Sequence, residues 1–297
     1  MTSTSVAMGV PRRASIRRTL IAAPLLAVSV IAITIAAGPE AGRPGLLAAA
    51  LVAAAAGISV TSVGVFGGIL VPGLLLLGIE PRVAAPLSLL LQVIVIPIGA
   101  TSHALVGHVQ RSIAVPLVVG GVIGSVAGAL LASSVPGPVV SLAVSLVIIG
   151  IGLVVLANLR WGQVAGYVDH EEIQPARIGS IGVVAGFASG ISGAGWGPIG
   201  VKLLILSRID PRHAIGSSLV GRITMAVAAI ATYALSAAAR GGFAFDPRLL
   251  VVLLAASTAT MVPGTLLIAR LGRGRATAGV AILSIALALP TLLAGLR

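Results

Sequence analysis

"GAGWGPIGVK", residues Gly193–Lys202, decides how this chain is read. Four glycines and a proline interrupt an apolar segment, and the only lysine of the chain stands just past the break. The stretch has a counterpart. At an offset of 130 residues, "VGVFGGILVPGLLLLGIEPRVAAPLSLLLQ" (63–92) lies over "GAGWGPIGVKLLILSRIDPRHAIGSSLVGR" (193–222). Phe66 falls on Trp196, Gly67 on Gly197, and Glu80-Pro81-Arg82 on Asp210-Pro211-Arg212. An aromatic-glycine pair and an acid-Pro-Arg triplet at one offset mark two copies of a single unit, residues 45–158 and 178–297. The polar segment between them, 159–177, reads as a linker and holds three of the seven acidic residues.

Composition places the units in a bilayer. The chain is 58% hydrophobic and 9% charged, with mean hydropathy +1.15 over 297 residues. So few charges cannot cover the surface of a water-soluble domain of this length. Apolar stretches of near-bilayer length recur from Leu20 onward, which indicates a polytopic helical membrane protein. With no cysteine, disulfide and thiolate chemistry are excluded. The net charge of +12 is spread over short loops and fits cytoplasmic loop charge rather than nucleic-acid binding. Residues 1–18 read as a cytoplasmic tail and 19–44 as an extra transmembrane helix with its loop. Its apolar core exceeds the roughly 7–15 residues of a signal-peptide h-region, so an uncleaved helix is expected ahead of the alternative, a cleaved signal peptide.

Each copy reads as an apolar segment, a glycine break, a short apolar piece, an acid-Pro-Arg turn and three long helices. The long helices are expected over 82–107, 111–134 and 138–158, then 212–237, 248–269 and 276–295. The short pieces 69–78 and 197–207 span only about 15 Å each, half a bilayer. Each could complete one crossing or fold back as a re-entrant hairpin. Hairpins put Arg12, Arg13, Arg17, Arg18, Arg111, Arg160, Arg177, Arg208, Arg212, Arg270, Arg273 and Arg275 inside. Only Arg43, Arg82, Arg240, Arg248 and Arg297 then lie outside, about twelve against five. Single crossings give about ten against seven, a weaker asymmetry. Three crossings per copy make the repeats inverted, with both termini placed: the N-terminus in the cytoplasm of a plasma-membrane protein, the C-terminus outside. Paired broken helices in inverted repeats are a transporter layout with its substrate site near the midplane.

The candidate site follows from charge. Half-helices starting at Gly67-Gly68 and at Gly195-Trp196-Gly197 present backbone N–H groups and a positive dipole end to an anion. The seven acidic residues all map to loops, whereas Arg222 sits about 15 Å along its helix from Arg212, near the midplane. A bare charge there costs roughly 2.5–3.5 kcal/mol, and a bound anion would partner it, as would backbone carbonyls in a wet cavity. Lys202 adds positive charge unless it snorkels toward the interface. Gln92 and Pro72 occupy the equivalent places in the first copy, so charge is confined to the second. Ser88, Ser217 and Ser218 begin helices beside the breaks and could donate to anion oxygens. Gly120, Gly124 and Gly128, spaced by four, read instead as a helix-packing face.

The motifs "VGVFGGILVP" and "GAGWGPIGVK…IDPRHAIGSS" resemble the TauE/SafE sulfite and sulfonate exporter family from about Gly45 to the C-terminus. The resemblance implies an inverted-repeat permease for sulfite, sulfonates or related organic anions. Phe66 departs from a glycine common in the first motif, and Lys202 stands opposite Pro72. An anion channel on the same repeats is the alternative. An intramembrane serine protease, suggested by Gly190-Ile-Ser-Gly193 with His213, is disfavoured because no histidine follows on a later helix. The expected partners are a small anionic substrate and the lipid bilayer, with a homodimer left open; no nucleic acid, enzymatic activity, cofactor or metal is expected.

Overall fold

The computed structural model describes residues 44–160, 174–194, 196–242, 246–271 and 273–295. The expected tail and extra N-terminal helix, most of the linker, and Gly195 lie outside the described residues. Within them the chain is helical, with no strand. The first five helices are α1 (Pro44–Val63), α2 (Gly67–Leu76), α3 (Pro81–Leu105), α4 (Arg111–Ser134) and α5 (Gly137–Arg160). Then come α6 (Pro175–Ser192), a π-helical turn (Trp196–Val201), α7 (Lys202–Leu206), α8 (Pro211–Ala238), α9 (Pro247–Leu271) and α10 (Arg273–Gly295).

Segments Arg111–Ser134, Gly137–Ala157, Pro211–Ala238 and Gly274–Gly295 are long and apolar enough to cross a bilayer. Leu51, Val119, Leu146 and Leu235 stand on the outer surface, each more than half exposed. A continuous apolar exterior of this kind is stable against lipid and not against water. The protein is a multi-pass, all-α membrane protein.

The acid-Pro-Arg triplets are helix starts. Pro81 and Pro211 occupy the first position of α3 and α8, where a missing N–H is no loss. Asp210 caps α8 by accepting from the Arg212 N–H at 2.8 Å. The glycine breaks are tight reversals. Gly64 (φ 73°) and Gly193 (φ 65°) end α1 and α6 in the left-handed region that favours glycine. Beyond them the chain folds back, so that Gly73 packs on Val52 and Gly200 on Ala185. A straight helix would hold residues 52 and 73 about 30 Å apart.

The ends of α4 show where each hairpin opens. At its C-terminal end, Arg82 from the α2–α3 turn donates to the Val135 carbonyl. Arg240, after α8, donates to the Ser133 carbonyl at 3.0 Å. At the N-terminal end, the Gln110 N–H donates to Ser217 Oγ at 3.0 Å, and Gly216 lies against His108. Helix α6 runs alongside α4 in the same direction: Gly120 meets the Gly179 carbonyl, Gly124 that of Val183, and Gly128 that of Phe187. The α1–α2 hairpin therefore opens at the Arg82 end, and the hairpin of α6, the π turn and α7 at the Arg111 end. Helix α9 packs along α1 as α4 does along α6, and α10 packs along α5.

Candidate functional site

The two hairpin tips meet. A Cβ on Gly67 would overlap the Gly193 carbonyl, with Ala194 Cα at 2.8 Å. A Cβ on Gly197 would sit 2.9 Å from the Gly64 carbonyl oxygen and 3.3 Å from Arg222 Nη1. Each tip thus rests on the glycine that ends the first leg of the other, an approach only a residue without a side chain permits.

Two polar side chains, each from the long helix that follows a hairpin, reach this junction. Gln92, on α3 and 3% exposed, donates through Nε2 to the Gly193 carbonyl at 2.8 Å. Arg222, on α8 and 6% exposed, donates through Nη1 to the Gly64 carbonyl at 3.2 Å. They also bind one another: Arg222 Nε and Nη2 donate to Gln92 Oε1 at 2.9 and 2.5 Å. Ser88 Oγ donates to the Gly193 carbonyl at 3.0 Å, and Gln92 Nε2 reaches Ser88 Oγ at 3.2 Å. Ser88, Gln92, Gly193, Gly64 and Arg222 form one buried polar network between the hairpins.

Magnitudes decide what this network implies. Three hydrogen bonds from a guanidinium, at about 1.5–3 kcal/mol each, offset a midplane insertion cost of about 2.5–3.5 kcal/mol. Arg222 needs no anion to sit where it does. Its acceptors are neutral, however, so the positive charge remains, and two of its five N–H groups are not used in these bonds. The acids among the described residues, Glu80, Asp210 and Asp246, all precede helix starts. None bonds to Arg222.

The remaining expected residues are placed as follows. Gly68 begins α2 beside Val65, with Ser284 of α10 nearby. Trp196 is 1% exposed, wedged against Gly121, Gly200 and Gly221, and its Nε1 donates to the Ser218 carbonyl at 3.0 Å. Its ring belongs to the packed core. Ser217 binds the Gln110 backbone and Ser218 Oγ donates to the Ile215 carbonyl within its own helix at 2.8 Å, so neither hydroxyl is bonded into the tips' network. Lys202 opens α7, half-buried, with no hydrogen bond among the described residues. Gly195 lies outside them. Ser192 Oγ donates to the Ala188 carbonyl at 2.6 Å and accepts from the Ala194 N–H. His213 instead faces the His108 carbonyl at 3.3 Å.

Sequence reasoning found the glycine clusters but read them as sources of N–H donors. The carbonyls of Gly64 and Gly193 are what the side chains grip. The signal was present: a left-handed glycine after a helix turns its carbonyl out of the helical ladder. The π turn at Trp196–Val201, a form frequent at functional sites, has no comparable signal in the sequence.

The model of the sulfite exporter TauE/SafE family matches residues 49–291. The chain belongs to the TauE/SafE family. The matched region includes the tip network and most or all of each long helix among the described residues. The chain is also similar to a probable membrane transporter protein, YtnM, of Bacillus subtilis (strain 168), 32% identical over 179 residues. That match covers 59% of this chain and 59% of the relative. No solved structure matches the chain at a significant level. The family is named for sulfite export and the relative for membrane transport.

Proposed function

We propose that the protein is a secondary carrier for a small sulfur oxyanion, sulfite or a sulfonate, bound near the midplane where the two hairpin tips meet. The observation that carries the reading is Arg222: a buried positive charge at the junction, held only by neutral acceptors, with N–H groups to spare. Gln92 and Ser88 supply further polar atoms there, and Lys202 adds charge on the second hairpin's return leg. The tips are in contact, so admitting an anion requires one hairpin to move from the other. That is the behaviour expected of a carrier and not of an open pore. The family's name for its activity agrees with an anion of sulfur.

The carrier is read as two inverted repeats, 45–158 and 178–297. Three features support this: the hairpins enter from opposite ends of α4, their tips exchange equivalent contacts, and α4–α6 and α9–α1 pair across the halves. The Arg82 and Arg240 face is assigned to the outside and the Arg111 face to the cytoplasm; one further crossing over 19–44, as expected from the sequence, would put the N-terminus inside.

The test is a substrate panel in proteoliposomes: sulfite, sulfate, thiosulfate, sulfoacetate, taurine and simple carboxylates, with and without a pH gradient. Counterflow of sulfite or a sulfonate is expected. For Arg222→Gln, anion affinity should fall by roughly 2–5 kcal/mol, and Arg222→Lys should recover only part of it, because an ammonium lacks the planar fork. Unchanged affinity in Arg222→Gln together with a lower melting temperature would make Arg222 structural. Ohmic current in place of exchange would make the protein a channel.

A further inference from the structure

The outer flank of the molecule carries a second feature, remote from the hairpin tips. Where Gly120 and Gly124 bring α4 against the α6 backbone, the flanking side chains part and leave a groove of about 710 Å³. Its walls are Val115, Val119, Ile123 and Val183, and its end is formed by Arg111 and Ser112. Val115, Val119 and Ile123 are 59%, 56% and 59% exposed, so the groove faces the bilayer. From Arg111 to Ile123 it runs about 18 Å, close to the depth of one leaflet of a hydrocarbon core about 30 Å thick.

The polar end is positive. Arg111 opens α4 and Arg177 lies in the first turn of α6, and both are exposed. Because the two helices run parallel, both starts lie at the same end. Neither helix has an acidic residue in its first turn, and neither arginine side chain is paired among the described residues. An apolar trough one leaflet deep, with Arg111 at its end and Arg177 two residues past the lining residue Pro175, matches one kind of molecule: a lipid with an acyl chain and a phosphate. We infer that this groove holds one acyl chain of an anionic phospholipid, with its phosphate between Arg111 and Arg177. Guanidinium forks suit phosphate oxygens better than a zwitterionic headgroup, whose own cation would face them.

The experiment is native mass spectrometry of the full chain in detergent, incubated with phosphatidylglycerol or with phosphatidylcholine of the same chains. Phosphatidylglycerol should be retained preferentially. A cation near an anionic surface is worth about fivefold in binding, so Arg111→Gln with Arg177→Gln should lower phosphatidylglycerol retention about twenty-five-fold and leave phosphatidylcholine unchanged. Both arginines are exposed, so the lipid-free melting temperature should hold. Val119→Trp should fill the trough and reduce retention of both lipids. Equal retention of the two lipids by the parent protein would overturn the inference, and so would a preference that survives the double arginine change. A Val119→Trp variant that turns a dimer into monomer with lipid retention intact would also overturn it, and would assign the groove to a second copy of the chain.

Discussion

Gln92 is the residue on which the junction turns. It accepts twice from Arg222 through Oε1 and donates to the Gly193 carbonyl through Nε2, so a side chain of the first half ties the charge on α8 to the tip of the hairpin that precedes α8. Gln92→Glu keeps the size and places a carboxylate against the guanidinium. The new ion pair is offset by loss of the Nε2 donor to the Gly193 carbonyl, so the melting temperature in detergent should change little, while anion uptake falls at least tenfold because the site's charge is already neutralised. Uptake at the parent rate in Gln92→Glu would show that the anion does not use the Arg222 charge. The two tip glycines should also differ. A Cβ on Gly67 collides with rigid backbone at Gly193, whereas one on Gly197 meets the Gly64 oxygen at 2.9 Å and a movable guanidinium at 3.3 Å. Gly67→Ala should therefore lower the melting temperature more than Gly197→Ala. The reverse order would mean that the first tip relaxes more easily than this packing allows.

Among the elements, α4 and α6 make the closest pair. Their contact relies on Gly120, Gly124 and Gly128 lying against carbonyls of α6, a packing face for which bilayer helices favour small residues. Gly124→Leu would drive a branched side chain into the Val183 carbonyl, and an overpacked core of this kind typically loses about 1–3 kcal/mol. Loss of monodisperse protein on gel filtration, with insertion into membranes retained, is the expected outcome. Helix α8 offers a milder test at its start. Hydrogen bonds from the Arg212 side chain and then its backbone hold the Asp210 carboxyl below its ordinary range. Its folded form is thus favoured when ionised. The benefit is present above the ordinary carboxylate pKa and disappears as pH falls through the lowered value. Asp210→Ala should cost about 0.5–2 kcal/mol as a lost cap, and Asp210→Asn much less. Thermal melts at pH 7 and near pH 3 check both, and the advantage of Asp over Asn should shrink at the acidic end. The Arg212–Asp210 ion pair itself is exposed and contributes little.

At the scale of the molecule, the proposed topology makes a labelling pattern. The chain has no cysteine, so single cysteines can be placed without background. Positions 82 and 240, whose arginines reach the C-terminal end of α4, should react with an impermeant maleimide from outside intact cells. Positions 111, 177 and 212 should react only after the membrane is opened. Labelling of 82 and 212 from the same side would contradict hairpins that enter from opposite faces, and with it the inverted-repeat reading.

The sequence by itself determined the class and the local elements. A mean hydropathy of +1.15 leaves no alternative to the bilayer, and the expected 111–134 helix coincides with α4. Proline and capping residues mark starts, and glycine marks reversals, because those preferences act through neighbouring backbone atoms. The offset of 130 also paired Gln92 with Arg222 before their contact was visible. Only the tertiary structure decided what those residues touch. That Arg222 grips Gly64 and Gln92, that Trp196 is core, and that α4 lies along α6 are contacts between segments tens to more than a hundred residues apart. Such partners are chosen by close packing of the whole bundle, and hydropathy, which scores each residue alone, carries no record of them.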